Sequence, residues 1–249
     1  MSDTAVEKCA LALLLAAHGE RSSGAMNAGI ARLAADLRGR HIVQEVAIGF
    51  IKGIPTITES VRALHADEIL VYPLFLADGY FTRTRLPELL QDASAADRHR
   101  RVRILPPLGL HPSLAPLIVE RLVGTARARG IAPAHAAVIL LSHGSRTDPA
   151  SRNAAELIAA EVRQRASFLA VRVALLEESP SLREAASDLS GAIFVFGLFA
   201  GEGMHGAGDA PRLVEELRRA DAVFAGNVAS LDGIADLIAA AVARARLAP

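Results

Sequence analysis

Apolar positions along this chain fall into two textures. Unbroken runs such as LALLLAA over 11–17 and AAVILL over 136–141 have no polar side at all. That is the pattern of a parallel strand covered on both faces. Between such runs the apolar residues are spaced three or four apart. Met26, Ile30, Leu33 and Leu37 share one helical face, with Gly39 as a stop. The same reading predicts strands over 43–51, 68–76 and 102–105. It predicts helices with Pro55 in the first turn and Ile57, Val61 and Leu64 on one face, opening at 86–90, and over 114–128. A last apolar run, IFVFGLF from 193, leads into a glycine-rich loop around His205, and Asp209 with Pro211 then signals a helix start.

The pattern occurs twice. His18–Gly19 recurs as His143–Gly144 and Ile54–Pro55–Thr56–Ile57 as Ser179–Pro180–Ser181–Leu182, both at an offset of 125 residues (18 to 143, 55 to 180). Gly79 and Pro87 recur as Gly203 and Pro211, at 124 (79 to 203, 87 to 211). A whole half repeated in this way predicts a duplicated α/β unit, with a boundary in the small, proline-containing stretch 131–135. The expected architecture is α/β: two tandem domains, 1–130 and 131–249, each a doubly wound parallel sheet flanked by helices. Ligands of such sheets bind beyond the carboxyl ends of the strands, which is where His18, His143 and His205 fall.

Composition narrows the functions open to this fold. The chain has 249 residues, 51% of them hydrophobic, which is enough for a sizeable core. Lys+Arg and Asp+Glu both number 27, so a general nucleic-acid or membrane-surface binder is not expected, and an anionic ligand must be met by local positive charge. One cysteine, Cys9, excludes an intramolecular disulfide and fits a reducing cytoplasm. Lys8 and the apolar run after it imitate a signal peptide, but the same pattern at 136–141 lies mid-chain, so both read as strands. No apolar run approaches the ~20 residues of a membrane-spanning helix.

In the second half, His143 follows the first strand, Glu177 the second and His205 the third. Two imidazoles and a carboxylate suit a divalent first-row ion, and three protein ligands leave positions open for a substrate. Glu177 and Glu178 are adjacent, so either could face the site; Glu177 is preferred. A lone histidine in a turn is more often hydrogen-bonded or solvated than a ligand. His143 and His205 stand out because both end apolar strands in one half, whereas His41, His65, His99, His111 and His135 read as structural or exposed. Gly201–Gly206 matches GxGxxG, but it follows the third strand of its half instead of the first, which argues against a dinucleotide site. Ser142 and Ser145 flank His143 too closely in sequence for nucleophile and base to face one another.

The motifs SHGSR at 142–146, LEESPSL at 176–182 and GLFAGEGMHGAGDAP at 197–211 resemble those of the CbiX/CbiK/SirB class of small tetrapyrrole metal chelatases. AHGER, GFIKGIPTI and PLFLADGYFTRTRLP carry the same frame in the first half. The resemblance implies two chelatase-like domains facing across a cleft that takes sirohydrochlorin, with His143 and His205 handling the metal and Glu177 as an acidic ligand. It implies no organic cofactor. The divalent ion is itself a substrate, Co²⁺ first and Fe²⁺ or Ni²⁺ as alternatives, and a non-catalytic metal or tetrapyrrole binder is the rival reading.

In the first half His18 remains, but Phe81 stands in the place of His205, Lys52 in that of Glu177 and Arg85 in that of Asp209. That half is therefore expected to carry a degenerate metal site. Lys52, Arg83 and Arg85, with His18 and Arg146, are expected to hold the carboxylates of the tetrapyrrole rim, the alternative for the three cations of the first half being solvated surface charge. Arg85 is the most telling of these, because a cation at a helix start calls for a nearby anion. The expected partners are the tetrapyrrole and the metal ion alone, with no nucleic acid and no membrane, on a cytoplasmic monomer or weak homodimer.

Overall fold

A computed structural model describes residues 10–19, 28–94, 99–201 and 210–247. The described residues form two four-stranded sheets, all pairings parallel. The first contains β1 (Leu11–Ala17), β2 (Glu45–Phe50), β3 (Glu68–Pro73) and β4 (Arg101–Ile104), in the order β2-β1-β3-β4. The second contains β5 (Ala136–Ser142), β6 (Ala170–Leu175), β7 (Ala192–Gly197) and β8 (Ala222–Asn227), in the order β6-β5-β7-β8. The identical strand order is the duplication seen in the sequence, now in three dimensions.

β1 is apolar throughout because each of its faces meets a different core. Leu11, Leu13, Leu15 and Ala17 enter one cluster and Ala12, Leu14 and Ala16 another. β5 divides likewise, with Ala136, Val138 and Leu140 on one side and Ala137, Ile139 and Leu141 on the other. The outer face of the first sheet is covered by α2 (Ile57–Ala63) and α3 (Leu86–Ser94), and that of the second by α6 (Leu182–Ala186) and α7 (Ala210–Glu216). The inner faces share one continuous core. Into it α1 (Ala28–Gly39), α4 (Leu114–Ala128), α5 (Ala150–Arg165) and α8 (Ile234–Leu247) bury their apolar stripes, with α1 against α8 and α4 against α5. Each large side chain buried there, such as Leu13 or Phe196, contributes about 1.5–3 kcal/mol relative to exposure. The two sheets are thus held by packed helices and not by a linker alone.

Local devices also recur. Thr56 and Ser181 each cap the following helix through a capping box, with Glu59 and Glu184, and Pro55 and Pro180 both follow cis peptide bonds. α2 therefore begins one residue after its cap, and Pro55 lies before the cap, not in the first helical turn as the sequence suggested. β3 ends at Pro73, earlier than expected, and Leu74 to Leu76 turn off the sheet towards the space beyond the strand ends. A single turn of π-helix, Phe81–Arg85, precedes α3. Among the described residues no helix is long and apolar enough to cross a membrane.

Candidate active site

Both first strands end in His-Gly, and both glycines have the left-handed backbone that other residues rarely adopt, φ +72 at Gly19 and +75 at Gly144. The reversal directly after each histidine brings the loop from the neighbouring strand against it. Lys52 N–H donates to the His18 carbonyl at 2.7 Å, and the Leu176 and Glu177 N–H groups both donate to the His143 carbonyl at 3.1 Å. The main chain thus fixes which residue stands beside each imidazole: Lys52 next to His18, Glu177 next to His143.

Between the halves, beyond the carboxyl ends of β1, β3, β5 and β7, lies a cleft of about 910 Å³. His18, Lys52 and Phe81 line it from one half, His143, Asp148 and Phe199 from the other. Its first-half wall is aromatic. Phe81 packs edge-on against the His18 ring (centroids 4.7 Å apart) and stacks on Phe75 (6.2 Å), while half-exposed Tyr80 meets Phe81 edge-on at 5.5 Å. A hydrophobic wall with few polar groups suits a flat, largely apolar ring.

The charges are distributed unequally. Burial, then the Lys52 ammonium and then His143, hold His18 below its ordinary pKa, so its ring is neutral at neutral pH. His143 Nδ1 lies 3.8 Å from Glu177 Oε1, both side chains about half exposed. Glu178 is committed elsewhere: its carboxylate accepts from Ser145 N–H at 3.1 Å and from Arg152 at 2.5 Å. Those bonds, the Arg152 one foremost, hold it below the usual carboxylate range. Of the two adjacent glutamates, Glu177 is therefore the one turned to the imidazole, and Glu178 braces the loop that carries it.

The remaining sequence candidates separate on geometry. Arg146 is exposed and donates through Nε to the Glu177 carbonyl at 3.2 Å, so it holds the loop rather than lining the cleft. Arg83 pairs with Asp78 at 3.0 Å, and Arg85 with Glu88 at 3.2 Å. Neither lines the cleft. Arg85 closes the π-helical turn instead of opening a helix, as the sequence suggested, and its anion, Glu88, is one turn on in its own chain. Of the four expected rim-binding cations, Lys52, Arg83, Arg85 and Arg146, only Lys52 lies where a ligand in the cleft would meet it. His205, with Asp209, lies outside the described residues. Among the described residues no three or more His, Cys, Asp or Glu side chains gather as a metal-holding group. Among these residues His143 and Glu177 lie side by side.

Sequence reading missed Asp148, Tyr80 and the aromatic pair Phe75 and Phe199. The pair was within reach, since it obeys the same 124-residue offset (75 to 199) as the glycines. Asp148, by contrast, precedes Pro149 in a pattern common at helix starts, which carries no signal of a site.

Comparison with known proteins bears on these observations. The family model described as CbiX matches the chain twice, over residues 12–125 and 137–245. A probable sirohydrochlorin cobaltochelatase of Halobacterium salinarum is 25% identical over 220 residues, covering 80% of this chain and 75% of that protein. Among solved structures, CbiX, described as the terminal enzyme for biosynthesis of siroheme in denitrifying bacteria, is 28% identical. It superposes with a TM-score of 0.74 over 94% of this chain and 98% of its own. SirB from Bacillus subtilis with Fe³⁺ shares the fold at 20% identity, TM-score 0.77, over 95% of this chain and 94% of its own.

Proposed function

From the premise that this chain belongs to the CbiX family, we propose that it is a sirohydrochlorin metal chelatase, inserting a divalent ion into the macrocycle in the cleft between its halves. The observation that carries the reading is the cleft itself: one wall bears His143, with Glu177 beside it just outside the lining, and the other an aromatic surface with His18 and Lys52. Residues 131–249 form the catalytic half and residues 1–130 the half that holds the ring.

Insertion requires an ion to shed water, a ring to expose its nitrogens and pyrrole protons to leave. His143 offers an imidazole nitrogen to the entering ion, which is a substrate here, and His205 is the proposed second donor. Glu177, beside His143, offsets the ion's charge and steadies the imidazolium whenever His143 accepts a proton. The ring lies against Phe81 and Tyr80, and Lys52 meets a rim carboxylate through a charge-assisted hydrogen bond. Co²⁺ is the metal of first choice, on the strength of the haloarchaeal relative, and Fe²⁺ is the second reading, supported by the siroheme enzyme. The pathway would be cobalamin synthesis in the first case and siroheme synthesis in the second, with the chain acting in the cytoplasm.

The test is visible absorption of sirohydrochlorin with each metal and a trace of protein. Many turnovers per chain support a chelatase, and metallation above background that stops at one equivalent supports the binder instead. Competition between Co²⁺ and Fe²⁺ at equal free concentration decides the metal.

A further inference from the structure

Among the described residues of the cleft, Asp148 hydrogen-bonds to both halves. Asp148, just before α5, accepts from Ala150 N–H through Oδ1 at 2.9 Å and from Tyr80 N–H through Oδ2 at 3.3 Å. Its own N–H is held by Ser145 Oγ at 3.2 Å, within the loop that carries His143. Ala150 begins α5, and Tyr80 precedes the π-helical turn that carries Phe81. Backbone N–H groups at helix starts lack partners of their own, and one carboxylate here serves two such starts, one from each half. The approach is close. A Cβ added to Gly79 would lie 2.9 Å from Ala150 Cβ and 3.0 Å from Asp148 Oδ2, so glycine permits the turn to sit against α5.

We propose that Asp148 is a positioning residue, a clasp that sets the distance between the aromatic wall at Tyr80–Phe81 and the His143 loop, and with it the width of the cleft offered to the ring. Its contribution to ring binding rests on the chelatase reading; its contribution to cleft geometry does not. Asp148→Ala removes both acceptors. Asp148→Asn keeps one accepting oxygen and so retains one of the two bonds. Gly79→Ala wedges the same contact from the opposite side.

Two readouts separate the clasp from general stability and from the chelatase assignment. On the ligand-free chain, amide hydrogen exchange at Tyr80 should quicken in Asp148→Ala and Gly79→Ala, with Asp148→Asn between them and wild type. In the metallation assay the KM for sirohydrochlorin should rise about threefold to tenfold in Asp148→Ala, the range of one or two lost hydrogen bonds, with kcat held within about twofold. The double variant should lose less than the product of the single losses, because both changes break one contact. Unaltered exchange at Tyr80, an unaltered KM, or fully multiplicative effects would each overturn the clasp. A wild-type chain with no metallation activity would instead overturn the function, while the exchange data still judged the clasp.

Discussion

Replacing Gly19 by alanine tests the backbone geometry on which the first-half side of the cleft depends. Gly19 has φ +72, and a Cβ there would lie 2.2 Å from the Lys52 carbonyl oxygen and 2.7 Å from Phe50 Cβ. Neither neighbour is the loose end of a long side chain. The left-handed conformation alone costs a non-glycine residue about 1–2 kcal/mol, and the displaced backbone adds strain of order 1–3 kcal/mol. Gly19→Ala should therefore lose about 2–5 kcal/mol, a large share of the roughly 5–15 kcal/mol that holds a typical domain. The control is Gly124→Ala, in the exposed interior of α4 with nothing within 4 Å of the added atom. There alanine should gain about 0.5–1 kcal/mol through helix propensity. Urea unfolding followed by circular dichroism measures both. Equal stability of Gly19→Ala and wild type, or shifts of the same sign in the two variants, would refute the reasoning. Lys52 N–H donates to the His18 carbonyl in this turn, so ring binding should weaken with the fold.

Further outcomes follow from the site. Glu177→Gln should lower kcat with an unchanged melting temperature, whereas Glu178→Gln should lower the melting temperature and quicken amide exchange at Ser145, because only Glu178 holds that N–H. Lys52→Ala should raise the sirohydrochlorin KM, while Arg83→Ala and Arg85→Ala should leave it unchanged, their charges being paired with Asp78 and Glu88. His18 has a folded-state pKa below its unfolded value of about 6.5. Between the two values the unfolded chain binds more protons, so the stability His18 contributes is whole above the unfolded pKa and is lost as pH falls through the folded one. Unfolding measured from pH 7.5 to 5.5 should show a steeper acid-side loss in wild type than in His18→Gln.

The strands were readable because burial on both faces leaves an unbroken apolar run, as in β1 and β5, and the duplication was readable because turn residues such as Gly19 and Gly144 admit few substitutes. Strand ends were less so. The run from Glu68 to Leu76 stays apolar after the sheet ends at Pro73 because Leu74 to Leu76 line the cleft instead. The position of His18 and His143 beyond strand carboxyl ends followed from the apolar runs they close, whereas one cleft shared by both was implied only by the family resemblance. Whether Arg85 stood free was not legible, since its partner Glu88 depends on side-chain direction within one turn. The choice between Glu177 and Glu178 likewise rested on Arg152, 26 residues away in the chain. Asp148 was missed for the same reason: its bond to Tyr80 joins residues 68 apart and belongs to neither half's own pattern.

The central claim is that His143 handles the metal in a cleft that the ring enters independently. Metallation of sirohydrochlorin by Co²⁺ and by Fe²⁺ should be compared in wild type and His143→Ala, alongside fluorescence titration of the metal-free ring. The account predicts a loss of kcat of at least about a hundredfold, the scale of a removed acid–base or ligand group, with ring affinity retained. Metallation by His143→Ala at the wild-type rate would contradict it.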